Sequence, residues 1–483
     1  MPSTSVLFFT TILVGVLYQL LRIGRRPSGY PPGPPTIPVL GNLHQMALAA
    51  TEPHLQFQKW AQEYGPIYSL ILGTKVMIVL SKDDAVKALL DKRSAIYSSR
   101  PDLYIGGHLS SGGLRMPYGP VWRLQRKVAH NALNIKKSGV YTPYQEVENR
   151  QLLFDIMQDS TDLFGHFRRF ASSLTTNIVF GFRWKTFDDP RLREFFDIVD
   201  DISAINSTGG AAFADFFPIL RKLPAALYPI KQKARQHHEH EKKVYRSYYL
   251  RAKEAIVNKL LTAKPCTCDD IVEMQQQEGF SDDFATYIAS TFFEAGSETT
   301  SSELYGFAQA MLLYPEAQRK GQEEVDQTLR WMPATILGAV PHAVTEDDKY
   351  MGYHIPADSM VLLNVWAIHR DQSHAINDVS KRDHFSFGAG RRVCPGVHIA
   401  DHSLYLAMAR LLWAFDMKPQ IGLDGKEILP VQDDFVQGMT VHPKEFQARI
   451  TPRFDTRAAF VKRMWEEAEK DLNAEGQFVQ SPI

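Results

Sequence analysis

The sequence predicts a mainly helical enzyme domain that also carries small β-sheets. Long stretches of helical apolar spacing dominate residues 146–320. Short apolar runs at Tyr68–Leu72 and Lys75–Leu80 flank Gly73 and predict two paired strands. The chain has 483 residues, of which 44% are hydrophobic and 22% charged, as is typical of a globular protein. Acidic and basic residues number 54 each, and this balance argues against a nucleic-acid partner.

The N-terminus carries an apolar run that contains no charge between Pro2 and Leu21. Arg22, Arg25 and Arg26 follow it directly. Twenty helical residues span ~30 Å, about one hydrocarbon core. Because the charges follow the run, an uncleaved anchor is favoured over a cleaved signal peptide. We therefore expect a transmembrane helix in residues 1–26, with the C-terminal side in the cytosol.

Residues 27–45 are rich in proline, which fixes φ and disfavours a helix. They predict a semi-rigid extended spacer between the anchor and the rest of the chain.

The segment from Phe387 to Gly396 places one cysteine, Cys394, among three glycines and a proline. Glycine lets the backbone turn sharply and approach a bulky group closely. Pro395 suits the first turn of a helix, and the apolar residues after it recur at helical spacing. Cys394 is therefore expected at a helix N-terminus, where the dipole and free N–H groups favour a thiolate. An iron-binding thiolate is the sharper interpretation, and a buried structural cysteine is the plainer one.

An acid and a hydroxyl stand side by side at Glu298 and Thr299, within an uncharged helical run that starts near Phe284. Gly296, two residues earlier, costs a helix interior ~1 kcal/mol relative to alanine. It predicts a flat group packed on the backbone, or a local opening of the helix. The acid–alcohol pair suits proton delivery into a dry pocket. A simple helix kink is the alternative.

These segments together resemble the cytochrome P-450 family. The cysteine segment fills all five fixed positions of the family pattern Phe-x-x-Gly-x-Arg-x-Cys-x-Gly. Trp122 and Arg126, four residues apart on one helix face, match the family's Trp-x-x-x-Arg helix. The resemblance implies a single large helical domain around a haem, at residues 46–455, followed by a C-terminal tail at 456–483.

The resemblance assigns a role to each motif residue. Cys394 is the axial ligand of the iron of heme b, and Glu298 and Thr299 deliver protons. The remaining cofactor-binding residues, several of which bind the haem propionates, are Trp122, Arg126, His342, Phe387, Gly390, Arg392 and Gly396. Substrate is expected against residues 104–118, 288–295, 334–340 and 435–439.

The implied function is monooxygenation, in which one oxygen atom from O2 enters a lipophilic small molecule of the secondary-metabolite or xenobiotic type. The implied electron source is NADPH, through NADPH–cytochrome P-450 reductase, with cytochrome b5 as an optional second donor. The implied location is the endoplasmic reticulum membrane, single-pass, with a cytosolic catalytic domain. A haem-thiolate isomerase or dehydratase and a haem-deficient remnant without catalysis remain alternatives.

The chain departs from the family pattern at two places. The family carries a Glu-x-x-Arg pair, but this chain has Gln327 in place of the glutamate before Arg330. Only sixteen residues, Asp371 to Ser386, separate Arg370 from Phe387, where the family uses several dozen. Two internal deletions are expected, and Arg330, the structural member of the pair, would then lack its charged partner.

Three further features receive plainer interpretations. Cys266 and Cys268 are expected to be an incidental loop pair, with a metal or redox pair as the alternative. The segment 237–243, rich in His, Glu and Lys, predicts a solvated helix face. Trp465 and the charged residues after it predict a peripheral surface helix.

Overall fold

The computed structural model describes residues 4–115, 119–207, 209–259, 265–321, 333–371 and 385–480. The described helices are α1 (Thr4–Arg22), α2 (Leu43–Leu48), α3 (Pro53–Tyr64), α4 (Asp83–Val86), α5 (Ser94–Tyr97), α6 (Pro120–Leu133), α7 (Ile135–Val140), α8 (Thr142–Gln158), α9 (Leu163–Phe180), α10 (Pro190–Ser207), α11 (Gly209–Phe216), α12 (Ile230–Val257), α13 (Thr267–Glu278), α14 (Asp282–Leu313), α15 (Pro315–Lys320), α16 (Val365–His369), α17 (Val397–Ala414) and α18 (Asp455–Glu469).

The described strands are short, as expected from the sequence. They are β1 (Ile67–Leu72), β2 (Lys75–Leu80), β3 (His342–Ala343), β4 (Asp348–Tyr350), β5 (Tyr353–Ile355), β6 (Met360–Leu363), β7 (Phe415–Ile421), β8 (Glu427–Ile428), β9 (Phe435–Val436), β10 (His442–Pro443) and β11 (Ala448–Pro452).

The chain forms two compact units. The first comprises Met1–Gly106, Asn206–Lys231 and Ile336–Val393, and the second comprises Gly107–Ile205, Gln232–Thr335 and Cys394–Ile483.

A four-stranded sheet in the order β1-β2-β6-β3 organises the first unit. β1 and β2 form the expected antiparallel hairpin, β2 pairs in parallel with β6, and β3 pairs antiparallel with β6. Gly73 turns the hairpin with φ +61°, and a Cβ there would lie 2.7 Å from the Phe217 ring. Apolar side chains of β1, β2 and β6 face buried clusters on either side of the sheet. The sheet therefore fixes the position of β3, whose residue His342 is one of the predicted site residues.

The proline-rich segment is bound to β1. The N–H of Ser69 donates to the carbonyl of Pro32 at 2.7 Å, and its hydroxyl donates to that of Pro31 at 2.7 Å. Arg26 adds hydrogen bonds at 2.9 Å to the Ser69 hydroxyl and to the carbonyl of Gly33. Prolines leave their carbonyls free as acceptors, so an extended run of them can dock beside a strand. The expected spacer is extended but held against the sheet.

The prediction of an N-terminal transmembrane helix is not supported. α1 forms over the expected residues, Thr4–Arg22. Yet none of the helices within the described ranges combines the length and the apolar character required to cross a bilayer. Thr10, Thr11 and Gln19 fall inside the run and lower its hydrophobicity.

Long helices build the second unit, which contains α6–α9, α13–α15, α17, α18 and most of α10 and α12. α14 lies at its centre, with nearly all side chains from Ser297 to Leu312 buried. α9 and α17 contribute to the same large apolar cluster as the C-terminal half of α14. The helical stretch expected between residues 146 and 320 is therefore confirmed.

Gly296 lies where α9 crosses α14 closely. A Cβ at this position would lie 2.8 Å from Oγ1 and 2.9 Å from Cγ2 of Thr175. The alternative of a locally opened helix at this glycine is wrong, since α14 runs unbroken from Asp282 to Leu313, whereas the flat group stays a prediction. Glycine is required because another helix occupies the space of its side chain.

Two plainer expectations also need correction. Trp465 of α18 is only 7% exposed and stacks on Phe154, so α18 is an integral part of the core. His237 and Glu241 of α12 are buried, which contradicts a fully solvated face. Across the residues that the structure describes, no cluster of His, Cys, Asp and Glu suits a metal ion.

Candidate active site

Cys394 lies in the second unit, three residues before α17 begins at Val397. The helix starts two residues later than Pro395, which the sequence placed in its first turn. Leu404, Met408 and Leu411 are buried at the expected helical spacing, and this burial fixes the rotation of α17. The cysteine is thus at the N-terminal entry of a well-anchored helix, as expected.

The Cys394 thiol is largely enclosed by protein. Burial raises its pKa, while the backbone N–H of Gly396 and the guanidinium of Arg126 act in the opposite direction. A Cβ at Gly396 would lie 3.9 Å from the sulfur, so this residue is in contact with the thiol. A thiol of this kind is deprotonated when it binds a metal ion.

Arg126 and Trp122 extend from α6, the helix expected from their spacing. α6 is entered through Gly119, at φ +81°, and Pro120 at its first turn. Both side chains are half-buried. Burial lowers the pKa of Arg126, and the Cys394 sulfur partly offsets this effect. Within the second unit, the structure therefore brings Arg126 near the predicted iron ligand.

The first unit holds a cluster of basic side chains around β3. Nδ1 of His342 lies 2.9 Å from the carbonyl of Tyr97, and Nε of Arg392 donates to the carbonyl of Ser98 at 2.9 Å. Arg100 donates to the carbonyls of Val340 and Pro341 at 2.8 and 3.0 Å. Backbone carbonyls thus orient all three side chains.

The electrostatics of this cluster favour an anionic ligand. Burial, together with the positive charges of Arg100 and Arg392, lowers the pKa of His342 to about 4, and the hydrogen bond to the Tyr97 carbonyl acts in the opposite direction. Burial also lowers the pKa of Arg100 to about 10. Burying cations close together is costly unless an anion compensates them. A carboxylate-bearing ligand would supply that compensation through charge-assisted hydrogen bonds.

Sequence reasoning missed Arg100. The residue lies far from His342 in the chain, and an isolated antiparallel bridge between Ser99 and Ala343 brings the two together. Pro101, which follows Arg100, indicates a turn only weakly and gives no indication of a ligand.

Only glycine fits at position 390 in the loop before Cys394. Its φ is +62°, and a Cβ would lie 2.0 Å from the carbonyl oxygen of Leu90. Its N–H donates to the Asp91 side chain at 2.7 Å. The loop is thereby fixed to the rest of the first unit. Phe387 is half-buried nearby in the chain.

Glu298 and Thr299 lie on α14, but their side chains have different partners. The Thr299 hydroxyl donates to the carbonyl of Ala295 at 2.7 Å. Oε2 of Glu298 accepts from the Thr440 hydroxyl at 3.1 Å, and Oε1 lies 3.7 Å from the Arg168 guanidinium. Burial raises the pKa of Glu298, and Arg168 counteracts this effect. The acid is held by a cation that the sequence pattern did not indicate.

Gln327 and Arg330 lie outside the described residues, as does most of the short segment before Phe387. The predictions of a missing charge partner and of two internal deletions therefore have no structural description.

The residues present fit a haem group. In the second unit, a cysteine with a half-buried arginine beside it suits an iron and a carboxylate. Taken by itself, the first unit holds a cluster of basic side chains that suits a carboxylate. Haem has one iron that accepts an axial thiolate and two propionates that accept such donors.

The cytochrome P-450 family model matches residues 31–337 and 328–449. Together these matches cover most of the chain. The chain belongs to the cytochrome P-450 family.

Curated fungal members of this family are similar along the whole chain. Cytochrome P-450 monooxygenase virE of Hypocrea virens is 45% identical over 533 residues, covering 100% of this chain and 96% of that protein. Cytochrome P-450 monooxygenase fogE of Aspergillus ruber is 42% identical, with 100% and 98% coverage. Similarity at this level shows that the chain is a cytochrome P-450 monooxygenase.

A solved structure supports the fold. A zebrafish cytochrome P-450, whose structure is described as one with abiraterone, aligns with a TM-score of 0.65 and 21% identity. The alignment covers 83% of this chain and all of that one. The mainly helical cytochrome P-450 fold is confirmed, and family and fold together imply haem with a cysteine-ligated iron.

Proposed function

We propose that this cytochrome P-450 inserts one oxygen atom from O2 into a lipophilic secondary metabolite. The observation that carries the proposal is Cys394 at the entry of α17, with Arg126 acting on its thiol. The substrate class rests on similarity to fungal monooxygenases and on the apolar composition of the segments expected to line the pocket.

In this proposal each residue has a defined task. Bound haem would supply the chemistry of O2 activation, and Cys394 would hold its iron as a thiolate. By resemblance to the family, Trp122, Arg126, His342 and Arg392 would bind the haem carboxylates, and Arg100 is a further candidate because it lies in the same cluster as His342. Glu298 holds and releases a proton at Oε1, and the Thr299 hydroxyl takes part with it in proton delivery. NADPH serves as the electron source through a reductase, with cytochrome b5 as an optional donor.

We also propose attachment to the endoplasmic reticulum membrane, with the catalytic part in the cytosol. Phe8, Phe9 and Leu13 of α1 expose more than 60% of their surface. Leu48, Ile219 and Leu227, in the same unit, are exposed to a similar extent. Exposed apolar side chains of this number favour a membrane surface. Flotation of the full chain with liposomes, compared with a chain lacking residues 1–26, tests this attachment.

The decisive experiment on the haem is the carbon-monoxide difference spectrum of the reduced protein. The full chain is expected to show the Soret band of thiolate-ligated haem, and Cys394→Ser is expected to lose it. Cys268→Ser is the matched control, because that cysteine is also free and buried but belongs to α13 and not to the loop before α17. A thiolate band that survives Cys394→Ser would refute the assignment.

A second candidate, a haem-deficient remnant, is favoured by one observation. The alignment with the Hypocrea virens protein runs over 533 residues, whereas this chain has 483, so about 50 aligned positions face gaps here. The segments around Arg330 and before Phe387 are where the sequence departs from the family pattern. Inserting the corresponding residues of that relative at both places and comparing the two spectra decides between the candidates. Thiolate Soret bands of equal intensity from this chain and from the chain with the insertions would reject the haem-deficient candidate.

A further inference from the structure

Glu298 is held by two groups from other segments of the second unit. Arg168 comes from α9 and Thr440 precedes β10, while Phe196 of α10 covers Arg168. Glu298 is buried, with 9% of the residue exposed. Thr299, its neighbour in sequence, instead donates to the carbonyl of Ala295. The position of the acid is therefore set by tertiary contacts.

Arg168 is confined by aromatic rings. Its guanidinium carbon lies 4.6 Å from the centre of the Phe164 ring and 4.4 Å from that of Phe196. A cation over ring faces is stabilised electrostatically, and the rings restrict its side-chain rotamers. The side chain is 18% exposed, so its charge is poorly screened by solvent. A charge in this position acts strongly on Glu298.

One carboxylate oxygen remains available for a proton. Oε2 accepts from Thr440, whereas Oε1 is buried and lies beyond hydrogen-bond distance from the guanidinium, at 3.7 Å. An acid held by one hydrogen bond and one longer-range charge can still exchange a proton through its second oxygen.

We propose that Arg168 is a positioning residue of the monooxygenase reaction, which holds the Glu298 carboxylate against Thr440 and leaves Oε1 to carry the proton. The inference rests on the proposed function, because the monooxygenase reaction consumes the proton that Glu298 supplies. A proton leaves Oε1 for the atom of O2 that the reaction releases as water, and a proton from solvent water replaces it, so that Glu298 returns to its starting state.

Other charged groups around the pair affect the expected pH dependence. Glu294, one turn earlier on α14, and Asp200, exposed on α10, both raise the pKa of Glu298, as burial does. Arg168 lowers it. His442, at β10, is near Arg168, and burial lowers its pKa, with Arg168 acting in the same direction. Removal of Arg168 and removal of Asp200 should therefore shift the titration of Glu298 in opposite directions.

The test is a carboxyl titration by infrared difference spectroscopy on the full chain, with Glu298→Gln identifying the signal. In Arg168→Gln the Glu298 midpoint is expected to rise by about one pH unit, and in Asp200→Asn it should fall. Arg168→Lys should retain most of the wild-type midpoint. Thermal melting of each variant checks that it is folded. An unchanged midpoint in both Arg168→Gln and Arg168→Lys would overturn the proposal.

Turnover provides the second measurement. The alkaline limb of the pH profile of kcat, which reports loss of the Glu298 proton, should move to higher pH in Arg168→Gln, with little change in the Soret spectrum. A changed midpoint together with an unchanged pH profile would also overturn the positioning role. If the chain fails to bind haem, the proposed function fails, while the infrared titration still decides whether Arg168 controls Glu298.

Discussion

Oε1 of Glu303, on α14, accepts a hydrogen bond from the backbone N–H of Ala334 at 2.8 Å. Oε2 is buried and lacks a hydrogen-bond partner within the described part of the chain. The carbonyl of Ala334 in turn accepts from the N–H of Val441 at 2.8 Å. A single buried carboxyl group thus connects α14 to Ala334, whose carbonyl binds the segment before β10.

This carboxyl group predicts a pH-dependent stability. Burial raises the pKa of Glu303 to about 8, whereas an unfolded glutamate titrates near its model value of 4.5. Between these values the folded state binds the extra proton, so stability falls as the pH rises from about 4.5 to about 8. Glu303→Gln keeps the acceptor and should abolish this loss. Melting temperatures from pH 5 to pH 9 should diverge, with the variant more stable at pH 9.

A matched control is Glu467→Gln, at an exposed position of α18. Its melting curve should follow that of the wild type at each pH. Parallel curves for wild type and Glu303→Gln would contradict the prediction.

The contact between Gly296 and Thr175 predicts a double-mutant effect. Alanine gains ~1 kcal/mol over glycine in a helix interior, but a Cβ here would lie 2.8 Å from the Thr175 hydroxyl. Overpacking of this kind costs ~1–3 kcal/mol. Gly296→Ala should therefore destabilise the wild type and stabilise Thr175→Ala. Denaturant unfolding of all four proteins measures the coupling, and an equal effect in both backgrounds would refute the close contact.

Arg100 is expected to contribute to haem retention. Its contacts in the structure are to backbone carbonyls, which leaves its charge for a carboxylate. A hydrogen bond to a charged group contributes ~1.5–3 kcal/mol. Arg100→Met should therefore accelerate haem loss about tenfold or more, measured by transfer of haem to an acceptor protein. Lys92→Met, which removes an exposed positive charge nearby in the chain, is the control. Equal rates for both variants would exclude Arg100 from the haem site.

Local sequence is sufficient to predict a structural feature where its motif lies within one element. The hairpin of β1 and β2, the helix face of Trp122 and Arg126, and the cysteine before α17 each follow from spacing over a few residues. Gly296 is conspicuous in the sequence because glycine is costly inside a helix. The reason that glycine is required there, the close approach of α9, depends on Thr175, which is far away in sequence.

Partners from distant segments could not be predicted. Arg168 reaches Glu298 because α9 packs along α14, and Arg100 reaches His342 because Ser99 pairs with Ala343. Neither contact leaves a periodic signal, since a single side chain is involved on each side. The buried face of α12 was missed for a related reason: polar residues at helical spacing predict solvent exposure unless a cation from another segment pairs with them.

That cation is Arg115, whose contacts predict a large stability effect. Its guanidinium pairs with both Glu241 of α12 and Glu294 of α14. His237 also contacts Glu241 at 2.7 Å, and the Tyr245 hydroxyl donates to Glu294 at 2.8 Å. The cluster therefore holds two carboxylates on one guanidinium in a buried place, where burial raises the pKa of Glu294.

Removing only the cation leaves two buried acids without compensation, which costs ~3–5 kcal/mol. Arg115→Met should therefore destabilise strongly, and most at alkaline pH, where both acids are forced to ionise. The triple variant Arg115→Met/Glu241→Gln/Glu294→Gln should recover most of the loss, because no buried charge remains in the pairs. Urea unfolding at pH 6 and pH 9 distinguishes the two. A single variant as stable as the triple at both pH values would mean that the carboxylates reach solvent without Arg115.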